Sequence, residues 1–277
     1  MKHEKLSIPE SGFRYIKVGG VKLRVYGRDL DRSEMPLVIC NGLGQGVEML
    51  FPLMDELEDR PIIAFDAAGV GRSDVPQTGT TIPDHAQMLQ GVLDRLGIER
   101  FDILGISWGG ALAQQMALEC PERCRRLVLA ITSAGGIGSW WGSPIALAEI
   151  IFPWRYVNKE YGNFIGPLMY GGEAIMHPEL FQQYSEHAIR PTYEGYSAQV
   201  NAMCSWSSLP WLSQIKQPTQ VIAGAYDTLI PIGNQILLSS LIPQARLTVF
   251  QAGHLLMYSK REEVGELVTD FLDTGRK

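Results

Sequence analysis

The sequence predicts an α/β protein: a mostly parallel, doubly wound sheet with an inserted helical lid. Three observations predict it. Short apolar runs bounded by Gly, Pro and Asp recur along the chain, as strands covered on both faces require. Helical patterns alternate with them, which calls for right-handed crossovers in an open sheet. One stretch of about 85 residues carries no strand pattern, and a structureless loop of that length is implausible in a compact domain.

The elements follow in order. Residues 12–18 and 21–27 alternate apolar and polar side chains around Gly19-Gly20, a hairpin signal. Buried-type strands are expected at 37–40, 62–65, 101–106, 127–131, 219–223 and 246–250. Asp84 is the expected N-cap of a helix that runs to about Leu96 and ends at Gly97. A second helix covers 108–119 and stops before Pro121, and two more cover 233–241 and 261–273. Residues 140–211 hold 14 of the chain's aromatic side chains (6 Trp, 10 Tyr and 9 Phe in all), so the strandless stretch reads as a lid with an apolar interior of its own. The chain therefore divides into a sheet domain over 1–133 and 212–277 and a lid over 134–211. Trp140 and Trp141, near the start of the lid, are expected to bind substrate.

Composition narrows the function. The chain has 277 residues and 45 % apolar content, enough for one large core without staples. With 24 Lys and Arg against 30 Asp and Glu the net charge is −6, which leaves no basic excess for nucleic acid. The first 13 residues lack the apolar run of a secretory signal, and no stretch approaches the length of a spanning helix. Cys40, Cys120, Cys124 and Cys204 are too few and too scattered for a disulfide framework, so a reduced, cytoplasmic protein is expected. Cys120 and Cys124 lack a second ligand pair, and no metal site is expected.

The chemistry lies in Gly105-Ile106-Ser107-Trp108-Gly109, a G-x-S-x-G motif. By itself the motif is weak, but here it follows an apolar strand and opens a helix, the setting of a nucleophile elbow. A serine needs a base held by an orienting acid, and in this architecture the order is Ser, acid, His. Asp227 and His254 follow the strands at 219–223 and 246–250 in that order. His3, His85, His177 and His187 stand in a tail, at a helix start and in the lid, and read as structural or surface residues. The oxyanion donors are expected to be the Trp108 and Leu43 main-chain amides, the second from the loop Asn41-Gly42-Leu43-Gly44. Asn41 and Gly42 are also expected at the substrate, with Asn41 holding the loop by side-chain hydrogen bonds. Arg123, Arg125 and Arg126 read as a solvated turn. The glycine-rich stretch 66–73 departs from G-x-G-x-x-G and reads as a tight loop beneath the site, so no nicotinamide, flavin or other cofactor is expected.

These residues resemble the α/β-hydrolase superfamily over essentially the whole chain. NGLGQGVEMLFPL (41–53), FDAAGVGRSD (65–74), GISWGGALAQQMALECPERCRRLVLA (105–130), MYGG (169–172) and IKQPTQVIAGAYDTLIP (215–231) are similar to the intracellular depolymerases of medium-chain-length polyhydroxyalkanoates. The resemblance implies a serine esterase acting on hydroxyacyl esters, with Ser107, Asp227 and His254 as its triad. Ala225-Tyr226-Asp227-Thr228 departs from that family's Asp-Asp-Asp-Pro while keeping the acid, and the 69–74 loop and most of the lid also differ. The expected partner is an apolar ester, including the surface of a polymer granule. The same acyl-enzyme would serve a general medium-chain esterase or lipase, an acyltransferase or a thioesterase. A catalytically inactive binding protein on this scaffold is the alternative of a different class.

Overall fold

A computed structural model describes residues 11–57 and 60–274, so the first ten residues, His3 among them, lie outside the description. Eight strands form one sheet: β1 (Ser11–Val18), β2 (Val21–Arg28), β3 (Leu37–Cys40), β4 (Ile62–Phe65), β5 (Phe101–Ile106), β6 (Cys124–Ala130), β7 (Thr219–Gly224) and β8 (Ala245–Phe250). Their order is β1-β2-β4-β3-β5-β6-β7-β8. The hairpin β1–β2 and the β2–β4 pair are antiparallel, and every pair from β4 to β8 is parallel. The central strands are buried along their whole length, which is why they carry continuous apolar runs instead of alternating ones.

The helices are α1 (Phe51–Asp55), α2 (Ile82–Leu96), α3 (Trp108–Glu119), α4 (Pro144–Ile151), α5 (Lys159–Tyr170), α6 (Glu173–Met176), α7 (Pro178–Glu186), α8 (Tyr193–Cys204), α9 (Gly233–Leu241), α10 (Leu256–Ser259) and α11 (Arg261–Asp273). One core lies between the sheet and α2, α3 and α9, around residues such as Leu89, Ile103 and Leu238. A second covers the other face under α1, α10 and α11, around Leu104, Ile222 and Leu272. A smaller apolar cluster joins the β6–β7 connection to the loops after β7 and β8, through Met169, Tyr170, Leu229 and Leu255. Helices α4 to α8 all belong to that connection, as the missing strand pattern implied.

Two local expectations need correction. Asp84 is the third residue of α2 and not its N-cap: Thr81 caps the helix, and the Asp84 carboxylate accepts the Thr81 N–H at 2.8 Å, closing a capping box. The arginine cluster is not simply solvated. Arg125 Nε donates to the fully buried Asp102 carboxylate at 2.8 Å, and Arg123 pairs with Asp94 at 2.9 Å. Strand β6 starts at Cys124, ahead of its apolar run, and includes Arg125 and Arg126. Among the described residues no helix is long and apolar enough to cross a membrane.

Candidate active site

The strand order reverses between β3 and β5, and in open α/β sheets ligands bind beyond the carboxyl ends of the strands at such a switch. The β3 end continues into Asn41–Gly44, and the β5 end into Ser107. Ser107 has φ 52° and ψ −116°, a strained conformation for a residue with a side chain. The elbow closes only because both flanking positions are glycine: a Cβ on Gly105 would lie 2.4 Å from the Gly109 carbonyl oxygen, and one on Gly109 would lie 2.1 Å from that of Cys40. The Ser107 carbonyl accepts the Thr132 hydroxyl at 2.6 Å, and α3 starts behind it, so the positive end of the helix faces the serine.

The three residues expected to act together meet. His254 Nε2 lies 3.2 Å from Ser107 Oγ, and His254 Nδ1 lies 2.6 Å from Asp227 Oδ2. Asp227 and His254 are both buried. The other Asp227 oxygen accepts the Leu229 and Ile230 amides at 2.9 and 2.8 Å, which fixes the carboxylate in its loop. Tyr170, at the end of α5, stacks on the His254 ring with centroids 5.8 Å apart, and its carbonyl accepts the His254 main-chain N–H at 2.7 Å. The Gly171-Gly172 pair after it wedges between the two loops. A side chain at Gly172 would meet Gly253 N at 2.2 Å, and Gly171 forms an isolated antiparallel bridge with Asp227. The MYGG segment therefore ties the β6–β7 connection to the loops that carry Asp227 and His254.

The loop after β3 is held from both sides. Asn41 accepts the Gly42 N–H and donates to the Gly46 carbonyl, each at 2.8 Å. The Gly42 carbonyl accepts the Gln45 N–H at 3.2 Å, and the Gly44 N–H donates to Gln199 Oε1 at 2.8 Å. Between these engaged neighbours, the Leu43 main-chain N–H has no partner among the described residues, and neither has that of Trp108. Gln199, on α8, is buried, and its carbonyl also accepts the Trp108 indole N–H at 3.0 Å. Below the loop, the buried Asp66 accepts Val47 N and Arg72 N at 2.8 Å and Arg24 Nε at 2.6 Å, so the 66–73 stretch forms the tight loop expected of it. His85 packs edge-on against the Trp108 ring, and burial lowers its pKa to about 4, which keeps it neutral.

A cavity opens over Ser107 and His254. Asn41, Gly42 and Leu43 border it, together with apolar side chains such as Met49, Leu53, Ile131 and Met257. Trp140 and Trp141 do not line it. The Trp140 main chain is tied to Asn234 at the start of α9, its ring lies against Gly233, and both indoles are exposed. The aromatic lining comes instead from Tyr170, Tyr184 and Tyr258. Sequence reasoning missed Tyr170, Tyr184, Gln45 and Gln199, because each acts through a tertiary contact that no local spacing encodes. The MYGG segment was the one available signal, and it pointed at Tyr170.

Residues 35–260 match the model of a family described by its alpha/beta hydrolase fold. The chain belongs to the α/β-hydrolase family. This α/β hydrolase is 38 % identical over 266 residues to a poly(3-hydroxyalkanoate) depolymerase of Ectopseudomonas oleovorans, covering 96 % of this chain and 94 % of that protein. It is 31 % identical over 287 residues to a 2-hydroxymuconate semialdehyde hydrolase of Pseudomonas sp. strain CF600, covering 95 % and 94 %. Among solved structures, the enol-lactonase from Burkholderia xenovorans LB400 superposes with a TM-score of 0.81 at 23 % identity, over 94 % of this hydrolase and 99 % of that chain. At that identity the superposition speaks for the fold alone.

Proposed function

We propose that this α/β hydrolase cleaves carboxylic esters through an acyl-enzyme on Ser107, and that its substrates are hydroxyacyl esters of the poly(3-hydroxyalkanoate) type. The observation that carries the reading is the hydrogen-bonded chain from Ser107 through His254 to Asp227, opening on an apolar cavity. The 38 % identity to a depolymerase supports the substrate class.

In this reading His254 takes the proton of Ser107 as the hydroxyl attacks the ester carbonyl. The Leu43 and Trp108 amides, without partners among the described residues, stabilise the oxyanion, each contributing about 3 kcal/mol. His254 then protonates the departing alcohol and later activates the water that releases the acyl group. Asp227 holds the imidazole in the tautomer with its proton on Nδ1. Residues 134–211 act as a lid, shielding the acyl-enzyme from bulk water and favouring apolar esters. The enzyme works in the cytoplasm, where its free cysteines stay reduced.

The test is Ser107→Ala assayed on p-nitrophenyl hexanoate and on a poly(3-hydroxyoctanoate) emulsion. The substitution lowers kcat roughly a millionfold and abolishes clearing. Retained ester hydrolysis would defeat the mechanism, and brisk short-ester turnover by the native chain without clearing would defeat the polymer assignment. The 31 % identity to a semialdehyde hydrolase favours one second reading, hydrolytic carbon–carbon cleavage by the same three residues. Turnover of a 2-hydroxy-6-oxodienoate in preference to esters would establish it.

A further inference from the structure

A second cavity, of about 320 Å³, lies against the catalytic one. Gln45, Met49, Arg155, Tyr170 and Tyr184 line both, so these side chains form a shared wall. Within that wall the Gln45 side-chain amide donates to the Tyr184 hydroxyl, a single hydrogen bond between the loop after β3 and α7. The wall is polar at that point.

The two cavities differ in charge. Among the described residues the catalytic cavity is lined by one guanidinium, that of Arg155, and by no carboxylate, whereas the second is lined by Arg155, Lys159 and Arg190 and by one carboxylate, Glu186. Lys159 and Arg190 are exposed and form no ion pair among the described residues. Arg155 is buried and only partly neutralised. Its guanidinium donates to the Glu149 carbonyl and, at 3.1 Å, to the Tyr196 hydroxyl, while the nearest carboxylate oxygen, on Glu149, stands 3.9 Å away. That carboxylate is itself engaged by the Tyr161 hydroxyl at 2.5 Å, and Arg155 Nε has no partner among the described residues. A cationic excess collected in one cavity of a chain with net charge −6 is a local feature and does not follow from composition.

We propose that the second cavity is a carboxylate subsite: it takes the free carboxylate end of a hydroxyacyl oligomer while the neighbouring ester lies at Ser107. The inference rests on the hydroxyacyl-ester reading above. A polyester of hydroxy acids is neutral along its length and carries one anion, at its carboxyl end, so a cationic pocket beside an apolar site distinguishes that end from the interior. The chemistry then balances simply. Ser107 Oγ bonds to the acyl carbon, the acyl C–O bond breaks, and the serine proton passes through His254 to the departing alkoxide. The leaving group is the hydroxy acid whose carboxylate the second cavity held, and water then releases the remaining chain from Ser107. Shortening from the carboxyl end follows.

The test compares a 3-hydroxyoctanoate trimer as its free acid and as its methyl ester. The native chain is expected to cleave the free acid with a kcat/KM about tenfold higher at low salt, the size of one charge-assisted contact. Lys159→Glu with Arg190→Glu removes that preference, and Arg190→Gln alone weakens it, a second reading should the double variant fail to fold. Equal kcat/KM for the two trimers, or a preference unchanged in the variants, would overturn the subsite. Cleavage of neither trimer by a chain that hydrolyses p-nitrophenyl hexanoate would instead overturn the hydroxyacyl reading, and the subsite with it.

Discussion

At the scale of single residues, position counts for more than residue type. Five histidines occur in the chain, and of the four that are described His254 alone stands beside a buried carboxylate and a strained serine. Replacing Asp227 by Asn preserves the shape of the site but favours the wrong imidazole tautomer, so kcat on a p-nitrophenyl ester falls about ten-thousandfold with little change in KM. Steady-state kinetics of Asp227→Asn checks this. His85 gives a second prediction, on stability. Burial lowers its pKa to about 4 from an ordinary 6.5, so the folded state resists protonation while the unfolded chain accepts it. The stabilisation is complete above pH 6.5 and is lost as the pH falls from there toward 4, by about 3 kcal/mol in all. Urea denaturation across that range should show the loss in the native chain, and His85→Gln should flatten that part of the profile.

At the scale of elements, most of the sheet was legible and most of the β6–β7 connection was not. The strands could be read because each is a short apolar run with Gly, Pro or Asp at its ends, and burial on both faces demands that pattern. Ser107, Asp227 and His254 could be located because an elbow and two strand ends are features of local sequence. Helices α4 to α8 pack through contacts far apart in the chain, so the exposed Trp140 and Trp141 attracted a role that Tyr170 and Tyr184 are placed to fill. Helix α8 shows how such contacts reach the site. Its Gln199 accepts the Gly44 N–H and the Trp108 indole N–H, bracing the two segments that carry the free amides. Gln199→Leu leaves Gly44 without its acceptor and lets the loop relax. The expected result is a kcat lowered roughly tenfold, part of the value of one oxyanion donor, with KM for a short ester little changed. A rise in KM with kcat unchanged would assign Gln199 to substrate binding instead.

At the scale of the whole molecule, the sheet divides the apolar interior around it in two. Leu89 of α2 and Leu272 of α11 are both fully buried, but they belong to clusters on opposite faces. Truncating either to Ala removes a buried side chain and leaves a cavity, a loss of about 2–5 kcal/mol. The two truncations share no partner, and the strands between them are rigid and hydrogen-bonded on both sides, so neither cavity relaxes into the other. Their effects should therefore add to within about 0.5 kcal/mol. They should still appear in one unfolding transition, because every central strand packs against both clusters and neither face can be lost alone. Chemical denaturation of the two single variants and the double one, followed by circular dichroism and by tryptophan fluorescence, makes the comparison. A shortfall from additivity would mean that the sheet transmits strain between its faces, and two separated transitions would mean that one face folds without the other.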